Sequence, residues 1–235
     1  GTDTLSGIEV LRFGDGTEVE ISMAPSDEFQ VNTYTSGDQS TPSISALEDG
    51  GYVVTWRSNG QDGNSWGVFG QRYDVNGNVV GDEFQVNTYT TNEQRDPSVT
   101  SLSDGGFVVT WMDSSGHDGG SSWDVRGQRY DATGNAAGDE FRINTYTSND
   151  QYSPSVASLD DGGFMVTWHS YNQDGHDWGI YGKRFDADGV AATGDIRINT
   201  YTTYNQSNPS VETLADGGFV VAWRDSSGHD GGSSW

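Results

Sequence analysis

The 235-residue chain has no cysteine, only 5 prolines, 11 basic side chains against 35 acidic ones, and no run of eighteen apolar residues. Without cysteine there is neither a disulfide framework nor a thiolate-ligated metal. A net charge of −24 excludes a nucleic-acid binder that works through its own basic surface. The lack of a long apolar run excludes a membrane-spanning helix. Intrinsic disorder is also excluded: 12% of the residues are aromatic, 8 of them Trp and 11 Tyr, more than a solvated polar chain holds. Glycine fills 33 positions, about twice its usual share of about 7%. The chain opens on Gly1 without an initiator Met or signal peptide and stops at Trp235, which reads as a cut through a longer array.

Four of the five prolines belong to an internal repeat. Asn-Thr recurs at Asn32, Asn87, Asn144 and Asn199, Pro-Ser at Pro42, Pro97, Pro154 and Pro209, and a strand-ending Trp at Trp56, Trp111, Trp168 and Trp223. Each series steps by 55, 57 and 55 residues, and the two extra residues fall in one loop between Trp111 and Trp123. An insertion that leaves the frame intact marks that loop as exposed.

Each unit predicts four short strands. A strand opened by Pro is followed by an Asp-Gly-Gly turn, then Phe107-Val108-Val109-Thr110-Trp111 and its equivalents, a variable loop, a third strand, a tight turn and a fourth strand ending in Asn-Thr. In the second strand Phe107, Val109 and Trp111 point one way and Val108 and Thr110 the other, so both sheet faces are largely apolar and must be covered. Four-stranded antiparallel units of this size, stacked face to face, are β-propeller blades; a string of small β-sandwich beads is the competing arrangement. The expected fold is therefore all-β, with residues 27–235 forming tandem blades: a lone outer strand at 27–41, units at 42–96, 97–153 and 154–208, and an incomplete unit at 209–235. About three and a half blades cannot by themselves close a ring of six to eight.

Gly1-Thr2-Asp3-Thr4-Leu5 matches the second half of the nonapeptide G-G-x-G-x-D-x-U-x, and residues 6–17 resemble the segment that closes arrays of such repeats in hemolysin-type (RTX) secreted bacterial proteins. The blade motif, at residues 49–56, 104–111, 161–168 and 216–223, resembles the tandem D-G-G-F-V-V-T-W units of large bacterial surface proteins with RTX-type segments. The resemblance implies that residues 1–26 are the end of a calcium-binding β-roll with Asp3 as a ligand. It also implies export by a type I system to the cell surface or beyond.

The loop after the second strand is the functional candidate within the blades. It spans residues 58–66, 113–123, 170–178 and 225–235, in short and long forms that alternate, and keeps an Asp-Gly at Asp62, Asp118, Asp174 and Asp230. It reads in two ways. Either Asp62, Asp113, Asp118, Asp174, Asp225 and Asp230 supply oxygens to calcium while Trp66, Trp123 and Trp178 offer stacking platforms to a glycan, or the aspartates cap turns and the tryptophans pack between blades. Gln39, Gln94, Gln151 and Gln206, three residues before each proline, are expected to bond backbone between blades. Arg72, Arg129 and Arg184 are expected to pair with acids of a neighbouring blade.

A catalytic centre gathers different groups on one reacting atom, whereas four copies of one loop suit multivalent binding. The expected function is accordingly a non-catalytic module of a secreted, calcium-associated repeat protein, in adhesion or surface structure, contacting glycan or protein. The alternative is the propeller scaffold of a secreted carbohydrate-active hydrolase or lyase whose catalytic part lies outside this chain.

Overall fold

In the computed structural model, residues 10–12, 18–20, 29–117, 119 and 123–228 are described. The chain forms two units, Gly1–Thr33 and Tyr34–Trp235. In the first, β1 (Val10–Arg12) pairs antiparallel with β2 (Glu18–Glu20), with Leu11 opposite Val19. Residues 29–38 form no strand, although Phe29-Gln30-Val31-Asn32-Thr33 repeats the sequence of the outer strands. A strand exists only through its ladder, and no ladder forms at these residues.

The second unit is built of antiparallel sheets, with no helix among the described residues. The first sheet runs β3 (Gln39–Ala46), β4 (Tyr52–Asn59), β5 (Trp66–Tyr73), β6 (Val79–Gln85). The second runs β7 (Gln94–Ser101), β8 (Phe107–Asp113), β9 (Asp124–Tyr130), β10 (Phe141–Arg142), and the third β11 (Gln151–Ser158), β12 (Phe164–Tyr171), β13 (Trp178–Phe185), β14 (Ile196–Arg197). The last pairs β15 (Gln206–Thr213) with β16 (Phe219–Asp225).

Sequence explains the turns. Between β7 and β8, Gly105 takes φ +84°, which a side chain resists, and Asp104 Oδ1 accepts the Gly106 amide at 2.9 Å. A Cβ on Gly106 would stand 2.2 Å from the Tyr130 carbonyl oxygen, so the second glycine serves close approach rather than backbone freedom.

The first strands lie side by side. The Ser43 hydroxyl accepts the Val99 amide at 3.1 Å, Ser98 accepts Val156 at 3.2 Å, and Ser155 accepts Val211 at 3.1 Å, which gives the Pro-Ser series its purpose. Ahead of each proline, Thr41, Asp96, Ser153 and Asn208 sit at φ +50° to +53°, and the ladder shifts register there in all four units. Such a conformation costs about 1–3 kcal/mol per non-glycine residue, and a bulge of this kind re-aims the side chains beside it.

Between blades lies apolar core. Val53, Val68 and Val86 of the first sheet pack with Phe107, Val109 and Trp111 of the second; Val108, Val125 and Ile143 of the second pack with Phe164, Val166 and Trp168 of the third. Trp111 and Trp168 are fully buried. Both faces of β8 are covered, as the alternation of its side chains demands, whereas Phe219, Val220 and Trp223 of β16 are partly exposed.

A polar clip repeats beside the core. Asn144 Oδ1 accepts the Val125 amide of its own blade at 2.7 Å, and its Nδ2 donates to Gln151 Oε1 at the start of the next. Gln151 Nε2 donates in turn to the Asn149 carbonyl. Asn87 with Gln94 and Asn199 with Gln206 repeat the arrangement. The glutamines thus bond connector backbone, as expected, and also the preceding blade's Asn. The arginines differ from expectation. Arg72, Arg129 and Arg184 pair with Asp49, Asp104 and Asp161 of their own blades. Among the described residues the neighbouring blade contributes a backbone acceptor, Ala132 O, to which Arg72 donates at 3.0 Å.

Candidate functional site

The variable loops, the connectors between blades and the starts of the first strands all meet at one end of the stacked sheets. The ladder shifts register directly after the residue that follows each glutamine: Ser40, Arg95, Tyr152 and Ser207. The three loop tryptophans, all half-buried, form a row with them.

Trp66 carries the guanidinium of Arg57 at 4.7 Å and that of Arg95 at 5.6 Å, and Arg57 is tied to Asp96 of the next blade at 3.0 Å. Trp123 meets the edge of Tyr152 at 5.9 Å and Arg95 at 5.8 Å. Trp178 meets Tyr152 at 5.2 Å, Tyr171 at 5.0 Å and His169 edge-on at 4.8 Å. The first two rings are therefore packed between blades. Trp178 differs in lining a hollow of about 260 Å³ together with His169, Asn205, Ser207, Arg224 and Ser226. His169 accepts the Asn208 amide at Nδ1, 3.3 Å away, and burial pushes its pKa down to about 4, so it is a neutral imidazole with a proton to donate from Nε2.

The aspartates expected as calcium ligands separate into two groups. Asp113 is 2% exposed and its oxygens are engaged: Oδ1 accepts Gln94 Nε2 and the Ser115 amide, each at 3.0 Å, and Oδ2 accepts the Ser115 hydroxyl and lies 2.8 Å from Arg126 Nε. Asp113, His117 and Glu140 do bring ligand atoms within 4.8 Å of one another, but Arg126 lies between the two carboxylates and takes the place of a cation. Asp225 repeats the role of Asp113, accepting Gln206 Nε2 and the Ser227 amide. Both cap the loop that follows them.

Asp62 and Asp174 behave differently. Each accepts one loop amide at Oδ1, from Asn64 and His176, and each leaves a buried Oδ2 without a donor; the Oε1 of the preceding residue, Gln61 or Gln173, is likewise buried and unpartnered. A Cβ on Gly67 or Gly179 would come within 2.7 Å of that Oδ2. In the second blade the matching residue is Asp124, which carries a carboxylate on the strand itself and accepts Asn144 Nδ2 at 2.7 Å. Short and long loops thus deliver a carboxylate to the same region by two routes. Asp3, Asp118 and Asp230 lie outside the described residues. Asp74 and Asp131, at hairpin tips, accept side-chain and backbone hydrogen bonds within their own turns, which hold both carboxyls below their ordinary pKa.

The repeat motifs pointed to Trp178 but not to His169, Asn205, Ser207 or Arg224. The available signal was departure from the repeat: Ser207 stands where the two preceding units have Arg95 and Tyr152, and Asn205 where earlier units have Asp38, Glu93 and Asp150.

No protein-family model and no curated protein sequence matches the chain. Solved structures do. A Penicillium chrysogenum α-L-arabinanase complexed with arabinobiose matches at 13% identity with a TM-score of 0.57, over 77% of this chain and 58% of that one. A GH93 α-L-arabinofuranosidase of Fusarium graminearum, also with arabinobiose, matches at 14% identity with a TM-score of 0.61, over 88% and 63%. A Bacteroides thetaiotaomicron endo-arabinase matches at 15% identity with a TM-score of 0.51, over 84% and 74%. The chain spans about three fifths of the length of the first two. The likeness shows the propeller fold. It corrects the expectation of a non-catalytic module, since the proteins that share the fold are enzymes.

Proposed function

We propose that the chain is the β-propeller scaffold of a secreted carbohydrate-active enzyme, a hydrolase or lyase, and that it holds a sugar at the end of the blades where Trp178 lies. The observation that carries this reading is the hollow itself: an indole face bordered by an imidazole N–H, an amide and two hydroxyls, the mixed apolar and hydrogen-bonding lining that suits a sugar ring. Arabinobiose in two fold-relatives supports the substrate class. Glycosidases work through paired carboxylates, and the six lining residues include none, so the reacting acids come from other residues. Isothermal titration with arabino-oligosaccharides and a panel of other glycans should yield binding that Trp178→Ala abolishes. Absence of binding to every sugar overturns the reading.

Calcium remains part of the proposal, at Asp62 and Asp174. The support is the pair of buried acceptor oxygens without donors in each odd-numbered blade, an arrangement a hard cation or a water would complete. EDTA should lower the melting temperature of the wild type and leave Asp62→Asn/Asp174→Asn unchanged. An identical melting temperature with and without EDTA removes calcium from the account.

A further inference from the structure

The core between blades and the end of the blades use aromatic rings differently. Trp111 and Trp168 are fully buried and fill the space between sheets, so the stack has its packing indoles already. Trp66, Trp123 and Trp178, at the end where the hollow lies, are only half-buried. The tyrosines divide in the same way. Tyr73 and Tyr130, beside the hairpin turns of the opposite end, are 3% and 5% exposed, whereas Tyr89 in a connector and Tyr171 at the end of β12 are 45% and 40% exposed.

The half-buried rings are joined into one row. The residue after the buried glutamine of the following blade bridges each loop tryptophan to the next: the Arg95 guanidinium lies 5.6 Å from Trp66 and 5.8 Å from Trp123, and the Tyr152 ring lies 5.9 Å from Trp123 and 5.2 Å from Trp178. Tyr171 extends the row on the far side of Trp178, at 5.0 Å. Consecutive indoles are thus separated by a single side chain, and the row runs from the first blade to the hollow without a gap.

The charge of the row is closed. Arg57, over Trp66 at 4.7 Å, pairs with Asp96 at 3.0 Å and donates to the Ser40 hydroxyl at 2.9 Å, and Arg95 pairs with Glu93 at 2.7 Å. Both guanidiniums are partly exposed, laid on indole and held by an acid, so they offer N–H groups at the surface at little further cost in side-chain entropy. Rings for the apolar faces of sugars, fixed donors for hydroxyls and balanced charge suit an uncharged glycan rather than a polyanion.

We infer that the row is an extended binding surface for one linear, uncharged polysaccharide, which enters the hollow at Trp178 and lies over Tyr152, Trp123 and Trp66 in turn across the third, second and first blades. The inference rests on the proposed carbohydrate function and deepens it, from a pocket for a sugar to a track for a polymer. At about 260 Å³ the hollow lies below the ~300–1,000 Å³ of sites that enclose a drug-sized ligand, so most of a longer glycan lies outside it. Contacts linked in one ligand add through effective concentration, so affinity rises with chain length although no single contact is strong.

The test is isothermal titration of the whole chain with linear arabino-oligosaccharides from arabinobiose upward, with xylo- and cello-oligosaccharides of matched lengths, and with oligogalacturonides as the acidic series. In an uncharged series affinity should rise in steps with length, by about fivefold or more for each further ring of the protein engaged, and then level off. Trp66→Ala should remove only the last step, and Trp123→Ala that step and the one before it. A loosened fold would weaken short and long probes alike and would not give this order. The wild-type series decides the matter whether or not a variant folds. Affinity independent of length, equal losses at every length in both variants, or no loss with the longest probe overturns the inference, as does tightest binding by the acidic series. Binding of arabinobiose alone overturns it while leaving the proposed function standing. Binding of no sugar, with the melting temperature confirming a folded protein, overturns both.

Discussion

The junction between the second and third blades and the junction between the third and fourth are made from nearly the same motif, yet one is solid and the other open. At the first, Trp168 is fully buried among Val108, Val125 and Ile143, and Tyr152 fills the space beside Trp123. At the second, Ser207 stands for Tyr152 and a hollow lies against Trp178, while Trp223, on a sheet of two strands instead of four, is 37% exposed.

The sharpest way to break the equivalence is to truncate the motif tryptophan at both places. Trp168→Ala should cost about 3–5 kcal/mol, as for a fully buried indole, and Trp223→Ala about 1 kcal/mol. Chemical denaturation would measure both, and equal losses would mean that the two blades are packed alike. A pH series offers the next largest effect. His169 stands where the second blade has Met112, and its folded pKa of about 4 lies below the unfolded value of about 6.5. The unfolded chain then binds the extra proton, so stability is full above about pH 6.5 and falls as pH drops toward 4, by up to about 3 kcal/mol. His169→Met should remove that share of the slope, which would persist if other groups were its source. The smallest contrast concerns the clip. Gln151→Ala and Gln206→Ala should each cost about 1 kcal/mol by removing buried hydrogen bonds to Asn144 or Asn199 and to connector backbone, and similar values are expected because each asparagine amide keeps a backbone carbonyl, of Tyr146 or Tyr201, as acceptor. A large difference between them would show that the clip depends on the blade around it.

Much of the scaffold was legible beforehand. The Asp-Gly-Gly turns, the strand order within each blade and the burial of both faces of β8 follow from turn chemistry and from alternation along a strand, and these are local properties. The partners of Arg72, Arg129 and Arg184 were not legible, because the acids they meet lie 23 to 25 residues away in the same blade and compete with many acids elsewhere. The partners of Asp113 were not legible for a similar reason. Its oxygen-rich loop is visible in sequence, whereas Arg126, which lies 2.8 Å from its Oδ2, comes from the strand beyond that loop.

The candidate site was legible only in part. Trp178 could be singled out as a platform because it belongs to the repeat. His169 and Asn205 are departures from the repeat, whereas Ser207 and Arg224 recur in the first unit as Ser40 and Arg57, and neither kind of residue has meaning until it is known which of them face one another.

The amino-acid sequence by itself determined the unit: four strands, the turns that join them, the apolar faces that oblige the units to stack, and a charge balance that excludes nucleic acid. Those features depend on residues close in the chain, whose backbone preferences and two-residue periodicity act before any distant contact forms. Only the tertiary structure decided at which junction a hollow opens. An opening between blades depends on side-chain volume and charge at positions 38 to 55 residues apart, from His169 to Ser207 and Arg224, and those are compared only when the sheets pack face to face.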